Sequence, residues 1–543
     1  MRRDDARAVL RGLQAIYATN TPNDLRRLLL SEPCETGRES AEHLTILSAY
    51  PDQLRLETGD EPPLRSTFAS LGALFPSGTL LHILPPYLAD PDDSFSIIDD
   101  SVVDAALGSW SDLRPHSTHL MLDLVVNQLS SNSPVFRAFA DGSGFDDFFY
   151  AVPSDFDASN CRLPRGRLPF VPAQVGGRRV TLWSSHGGRQ FDLNYRNPAV
   201  LEWTHDRLRR LSDTAAWVRL DGLAFAWKDS GTECSNLPQA ELLSSTLSTA
   251  WRAARPDGCV IAEVDLHPDD MYFRGPGRGP DFGYCYALPP VIASAASLGR
   301  VEPLAQVVTD LASRHQVNWI NLAVTHDGIS LRPWNPVLPS EDLDLLVELA
   351  ESRGVVVVKR PTGHGRQSAY ELDGLPADLY RRGTVGDDFV TQHVGLVNSL
   401  LLAIRGLPLL YLPAALGMRS EQRHRKGDAR SVVRFRIHGE DSRSLNRRIL
   451  SQLARMIALR AELPALSASS PMRLVSAEKE VVVFTRGLQG DLTVVHNFGF
   501  SPDKLRLPST KLDLLTNRVF ARGQDVIVPP RSAMWLAEHP HAE

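Results

Sequence analysis

The chain has little of what marks membrane, nucleic-acid-binding or disulfide-stapled proteins. No apolar stretch reaches the roughly 18 residues that a membrane span needs. The start, Met1-Arg-Arg-Asp-Asp5, is not followed by an apolar signal region. A net charge of −6 supplies no basic excess for nucleic acid. The cluster Arg419, Arg423, His424, Arg425 and Lys426 is short and reads as a solvated loop. The five cysteines (Cys34, Cys161, Cys234, Cys259 and Cys285) are odd in number and lack paired metal-ligand spacing. They read as reduced thiols in a cytoplasmic protein. Internal repeats and low-complexity tracts are also missing. The expectation is a cytoplasmic protein with no nucleic-acid or membrane partner.

What is present fits a globular chain of two or three domains. It has 543 residues, 43% of them hydrophobic and 22% charged. Residues 1–42 read as an N-terminal helical extension, with Leu10, Leu13 and Ile16, then Leu25, Leu28 and Leu29, at helical spacing. Eight strand-like runs follow: Leu44–Ser48, Leu80–Pro85, Leu120–Val126, the runs ending at Arg219-Leu-Asp221 and Ile261-Ala-Glu263, one near Tyr284, Asn321–Val324 and Leu409–Leu412. Helical spacers separate them, which is the pattern of a (β/α)8 TIM barrel over 43–464. The spacing is uneven. Residues 128–194, after the third strand, and 328–393, after the seventh, read as insertions. The first is loop-like; the second holds a helical segment, Glu341–Arg353, and a strand-like Val355–Lys359. Loops at the C-terminal face of such a barrel carry function, so both are candidate substrate-gripping subdomains. Beyond 464, Val481–Phe484, Leu492–His496 and Asp525–Val528 alternate with turn residues and predict an all-β sandwich over 465–543.

Four short stretches place a carboxylate at the end of an apolar run: Asp123-Leu-Val-Val-Asn127, Arg219-Leu-Asp221, Ile261-Ala-Glu263 and Thr325-His-Asp327. A single aspartate after a strand is most often a turn former or helix cap, and a lone histidine is most often packed or solvated. Four such ends in fixed order describe the mouth of one barrel. Cleaving a glycosidic bond takes two carboxyls, one attacking and one protonating the leaving oxygen. Asp221 and Glu263 end successive strands and can converge. Arg219 shares a strand face with Asp221 and would keep it ionised. The apolar Val-Ile-Ala before Glu263 is expected to hold that carboxyl protonated. Asp327 would be the third acid and His326 a hydroxyl donor, with Asp123 and Asn127 organising the mouth from another strand.

These regions resemble the signature segments of the α-amylase superfamily, glycoside hydrolase family 13. The resemblance covers nearly the whole chain and is greatest to the sucrose phosphorylase-like branch. It rests on Leu81-His-Ile-Leu-Pro85, Asp92-Asp93-Ser-Phe-Ser-Ile-Ile-Asp99, Ser133-Pro-Val-Phe136, Gln190-Phe-Asp-Leu-Asn194, Ala226-Trp-Lys228 with Leu237-Pro-Gln239, His326–Pro333, Ser368–Leu372 and Arg443–Arg447. The N-terminal extension is similar to that of the branch's longer members, the glucosylglycerate and sucrose 6′-phosphate phosphorylases. The resemblance implies double displacement with retention. Asp221 is the nucleophile, Glu263 the acid and then the base, and Asp327 the group that grips two sugar hydroxyls. It implies an α-glucoside and inorganic phosphate as small-molecule partners, no metal or organic cofactor, and a homodimer as one assembly open to the chain. Asp93, Phe95, Gln128 and Gln190 join the substrate-binding set. Arg332 and the basic loop at 419–426 are candidate phosphate contacts.

The sequence departs from the branch at several binding positions. Gln128 stands where the branch has a histidine that donates to the primary hydroxyl of the glucose. Ser94 replaces a glycine. Asp100 replaces a tyrosine that faces the sugar, and is expected to add charge near the acids. Cys234-Ser-Asn236 and Asp270-Met-Tyr-Phe273 match only loosely. The changes spare the triad, which favours altered specificity. Three readings follow: an α-glucoside phosphorylase, a hydrolase or transglucosylase on the same scaffold, and a catalytically silent sugar-binding protein.

Overall fold

The computed structural model describes residues 3–17, 41–54, 61–75, 78–90, 93–163, 169–187, 189–265, 279–314, 318–332, 336–361, 367–380, 387–420, 433–434, 437 and 447–539. Leu25, Leu28, Leu29, Cys34, Asp92, Asp270–Phe273, the basic residues 423–426 and Arg443–Asn446 lie outside the described residues.

Eight parallel strands close into a barrel: β1 (Thr45–Ala49), β2 (Thr79–Ile83), β3 (Leu120–Val125), β4 (Trp217–Asp221), β5 (Cys259–Ala262), β6 (Phe282–Tyr284), β7 (Trp319–Asn321) and β8 (Leu407–Tyr411). They neighbour one another in chain order, and β8 pairs with β1 to complete the ring. Each expected strand therefore exists, with ends shifted by up to three residues. Both faces of these strands are covered, which is why they read as near-continuous apolar runs. All five residues of β1, β4 and β8 are buried.

The helices between strands begin with local signals. Asn197 accepts from the Ala199 amide and Pro198 opens the helix Pro198–Ser212. The N-terminal helix Arg3–Tyr17 buries Leu10, Leu13 and Tyr17, and the Tyr17 hydroxyl donates to the Tyr195 carbonyl at 2.6 Å.

The stretch 128–194 is more ordered than its polar composition predicts. Gln128–Ser130 pairs antiparallel with Gln190–Asp192. Ser133 caps the helix Pro134–Asp141. Phe170–Val175 and Arg178–Trp183 form a hairpin whose turn is Gly176-Gly177, both at positive φ. In the second insertion, Ile329–Ser330, Gln367–Asp373 and Val356–Pro361 make a three-stranded antiparallel sheet beside the helix Ser340–Ser352. The helix Asp387–Ala403 runs across position 393.

The C-terminal region is all β. A six-stranded antiparallel sheet stands beside a two-stranded one, around Val481, Val483, Val495, Val526, Val528 and Leu536. Trp535, fully buried, donates to Ser399 Oγ at 2.9 Å and ties this region to the helix Asp387–Ala403.

Candidate active site

A polar chain crosses four neighbouring strands inside the barrel. Ser48 on β1 meets His82 Nδ1 on β2 at 3.1 Å, and His82 Nε2 lies 3.0 Å from Asp123 Oδ2 on β3. Asp123 Oδ1 accepts from Arg219 Nη1 on β4 at 2.5 Å. Barrel register makes this possible, since Arg219 pairs with Asp123 on one side and Ile261 on the other. Arg219 is 1% exposed, and its guanidinium collects two more acids. Nη1 is 2.9 Å from Asp221 Oδ1 and Nη2 is 2.9 Å from Glu263 Oε2. Tyr286 donates to Glu263 Oε1 at 2.9 Å.

The protonation pattern reverses the expectation from the apolar run before Glu263. Burial raises the Asp221 carboxyl well above the usual carboxylate range, against the pull of Arg219. For Glu263, burial is outweighed by Arg219, and the Tyr286 hydroxyl adds to the effect, so this carboxyl is held low. The apolar strand does desolvate Glu263, but its carboxyl reaches past the strand end to the guanidinium. The two acids act as one coupled pair. Asp123, fully buried, sits at about 2 because His82 and Arg219 overcome its desolvation.

The third acid is built from β7's outgoing turn. Asp327 Oδ1 accepts from Arg434 Nη2 at 2.8 Å, and His326 Nε2 lies 3.4 Å from Asp327 Oδ2. His326 stacks on Phe95 with ring centroids 4.7 Å apart, and burial lowers it to about 3, so it is neutral. Two glycines are required here. Gly222, at φ 69°, follows Asp221, and a Cβ there would lie 3.1 Å from Asn127 Cβ. Gly328, at φ 123°, would set a Cβ 2.3 Å from the Leu372 carbonyl oxygen.

Asp221, Glu263 and Asp327 open into a cavity of about 1210 Å³, open mouth included. Of the other expected residues, Phe95, Gln128, Gln190 and His326 line it. Arg219, Asp123 and Asn127 lie beneath. Asn127 Oδ1 accepts from Lys228 Nζ at 3.1 Å, and its amide donates to Asp192 at 2.9 Å, so it braces the strand end. Asp93 opens a hairpin strand opposite Asp90.

Two expectations need correcting. Arg332 is 2% exposed and ion-paired through Nε to Asp265 at 2.8 Å; Asp265 lines the cavity and Arg332 stands behind it. Among the described residues, Arg162 and Arg360 are the arginines that line the cavity wall. Asp100 adds no charge to the acids either. It is buried against Arg207, whose Nε donates to it at 2.6 Å, and it faces the helix Pro198–Ser212.

Sequence reasoning did not single out Tyr286, Arg434, Arg162, Arg360, Tyr370 or Glu371. Tyr286 sits two residues past β6, a strand-end signal like that of the acids. Arg360, Tyr370 and Glu371 stand on two strands of the second insertion, the last two within the Ser368–Leu372 run, and Arg162 and Arg434 come from loops with no periodic pattern. Among the described residues, no group of three or more His, Cys, Asp or Glu could hold a metal ion, and no helix is long and apolar enough to cross a membrane.

No family model matches the chain. It is 28% identical to a glucosylglycerate phosphorylase of Escherichia coli K12, over 84% of this chain and 85% of that protein. It is 27% identical to a glucosylglycerate phosphorylase of Allomeiothermus silvanus, over 98% of each. The crystal structure of sucrose 6F-phosphate phosphorylase from Thermoanaerobacter thermosaccharolyticum superposes with a TM-score of 0.72 at 19% identity, covering 90% of this chain and 98% of that one.

Proposed function

We propose that this chain, a member of the sucrose phosphorylase-like branch of glycoside hydrolase family 13, is a retaining α-glucoside phosphorylase that moves a glucosyl unit from a glucosylglycerate- or sucrose-like donor to inorganic phosphate. The observation that carries the reading is one guanidinium, Arg219, holding Asp221 and Glu263 together at the floor of a cavity walled by two further arginines.

Asp221 attacks the anomeric carbon while Glu263 protonates the departing oxygen, which leaves a β-glucosyl ester on Asp221. The aglycone leaves, phosphate enters, and Glu263 now takes its proton. Attack from the opposite face restores the α configuration as α-glucose 1-phosphate. The pair retains one proton, and in the free site that proton favours Asp221. Donor binding shifts it to Glu263, because the glycosidic oxygen that comes to face Glu263 accepts a hydrogen bond from the protonated carboxyl. Asp327, fixed by Arg434, holds two sugar hydroxyls and grips harder as the ring flattens toward the oxocarbenium ion. Gln128 stands at the glucose with an amide that donates and accepts without ever charging. Arg162 and Arg360 sit where an anionic aglycone or phosphate enters.

The division into an extension (1–42), a catalytic barrel (43–464) and a C-terminal β domain (465–543) belongs to the same reading. It is supported by a helix ending at Glu462 and a terminal sheet beginning at Met472. So do a cytoplasmic location and a homodimer, the latter checked by light scattering. The activity is tested by incubating the protein with glucosylglycerate, sucrose, sucrose 6′-phosphate or glucosylglycerol, with and without phosphate. Glucose 1-phosphate from one donor, only with phosphate, is the expected result. Free glucose at a rate indifferent to phosphate would make the protein a hydrolase, and silence across the panel would favour a sugar binder.

A further inference from the structure

Two cysteines far apart in sequence meet at the rim of the cavity. Both sulfurs lie against Thr232: Cys161 Sγ is 3.8 Å from its carbonyl oxygen and Cys234 Sγ is 3.8 Å from its hydroxyl. Cys161 is partly exposed and Cys234 is buried. The loops that carry them are laced together. The Arg162 amide donates to the Glu233 carbonyl at 2.8 Å, Asn160 donates to the Gly231 carbonyl at 3.1 Å, and Arg162 Nη2 pairs with Glu233 Oε1 at 2.5 Å. An apolar cluster of Tyr150, Trp183, Phe156, Leu163 and Phe170 holds both sulfurs in place. Cys234 and Asn236 lie at φ 52° and 54°, left-handed backbone that a non-glycine residue adopts only under constraint. The neighbours of the two cysteines face the cavity: Arg162 follows Cys161, and Ser235 and Asn236 follow Cys234.

We propose that Cys161 and Cys234 form a reversible disulfide, a modification site at which hydrogen peroxide fastens together the two loops that bring Arg162 and Ser235–Asn236 to the cavity mouth. The Cys234 thiolate attacks one peroxide oxygen, and the O–O bond breaks. The other oxygen leaves as hydroxide and takes a proton to become water. The Cys161 sulfur then attacks the Cys234 sulfenic acid, a second water leaves, and the S–S bond forms. Two thiols are oxidised by two electrons in all and one peroxide is reduced to two waters. The neighbouring Cys161 thiol and the Thr232 hydroxyl lower the Cys234 thiol to about 7 despite burial, which favours the reacting thiolate. The second effect rests on the proposed function. A double displacement must release one aglycone and admit phosphate through the same mouth, so a covalent link between its loops slows turnover.

The full-length protein is reduced, freed of reductant and treated with hydrogen peroxide, beside Cys161→Ser and Cys234→Ser. Expected are the loss of two free thiols, a mass lower by about 2 Da, and one cross-linked peptide pair joining positions 161 and 234. Dithiothreitol reverses all three changes, and neither variant shows the link. Absence of that peptide, or a link through Cys34, Cys259 or Cys285, overturns the proposal. Oxidised wild type should release glucose 1-phosphate about fivefold or more slowly, while Cys161→Ser keeps its rate under peroxide. A disulfide with unchanged turnover overturns the effect on the mouth. An inactive reduced protein counts against the phosphorylase reading alone, because the cross-link is read without any substrate.

Discussion

Arg219 Nη2 lies 2.9 Å from Glu263 Oε2, although Arg219 is the residue a strand-face argument assigns to Asp221. Nη1 contacts Asp221 at the same distance, but burial still raises that carboxyl, so Arg219 does not keep it ionised as the strand-face argument expected. One cation shared between two acids makes the position of their proton sensitive to each remaining partner. Tyr286 is the partner most easily removed. It donates to Glu263 and favours the ionised form. Tyr286→Phe deletes that bond and raises the Glu263 pKa, so the acid stays protonated to higher pH. The alkaline limb of the kcat/KM profile should move up by roughly half to one pH unit, the equivalent of a hydrogen bond of about 1 kcal/mol. A pH–rate series on both proteins measures the shift.

Asp123 carries a different pH signature. Its folded-state pKa is depressed to about 2 from an ordinary 3.8. The resulting stabilisation is fully present above the unfolded value and is lost as pH falls through the folded one. It amounts to about 2 kcal/mol at neutral pH. Urea unfolding of wild type and Asp123→Asn should differ by at least that much at pH 7. The pH-dependent part of the difference should fall by about half by pH 3.

The sequence made the frame of this site legible because a barrel encodes it locally. An apolar run ending in an acid marks a strand and its mouth together, and Asp221, Glu263 and Asp327 all open on the one cavity. What stayed hidden depends on which way a side chain turns once loops close over the barrel. Arg332 looks like an exposed cation in a polar loop, yet it is buried behind Asp265. Arg434 lies 107 residues beyond Asp327, and no periodicity links the two. Glu263 follows three apolar residues, but its protonation is decided by a guanidinium from the neighbouring strand.

Asp100 shows how far a single position can mislead. In sequence it puts a charge where the branch has an aromatic ring; in the fold it neutralises Arg207, itself 1% exposed. Asp100→Asn leaves that arginine short of its counter-ion and should cost about 3 kcal/mol of stability. Donor KM should stay within about twofold, because the residue does not line the cavity and only uniform binding contacts move KM alone. Urea midpoints and initial rates separate the two effects.

Arg162 should act on the acceptor. Arg162→Ala removes a cation from the cavity wall and should raise the KM for phosphate about tenfold, or roughly 1.4 kcal/mol. Slow release of free glucose from the donor should persist, because water needs no cationic contact. Parallel assays of glucose and glucose 1-phosphate follow both products.

The most direct test follows the anomeric proton by NMR while wild type and Asp221→Asn act on the donor that the panel selects, with phosphate present. Double displacement on Asp221 predicts that wild type builds up the α anomer of glucose 1-phosphate from the first turnover and that Asp221→Asn yields none. The β anomer as first product, or an Asp221→Asn variant as fast as wild type, would contradict it.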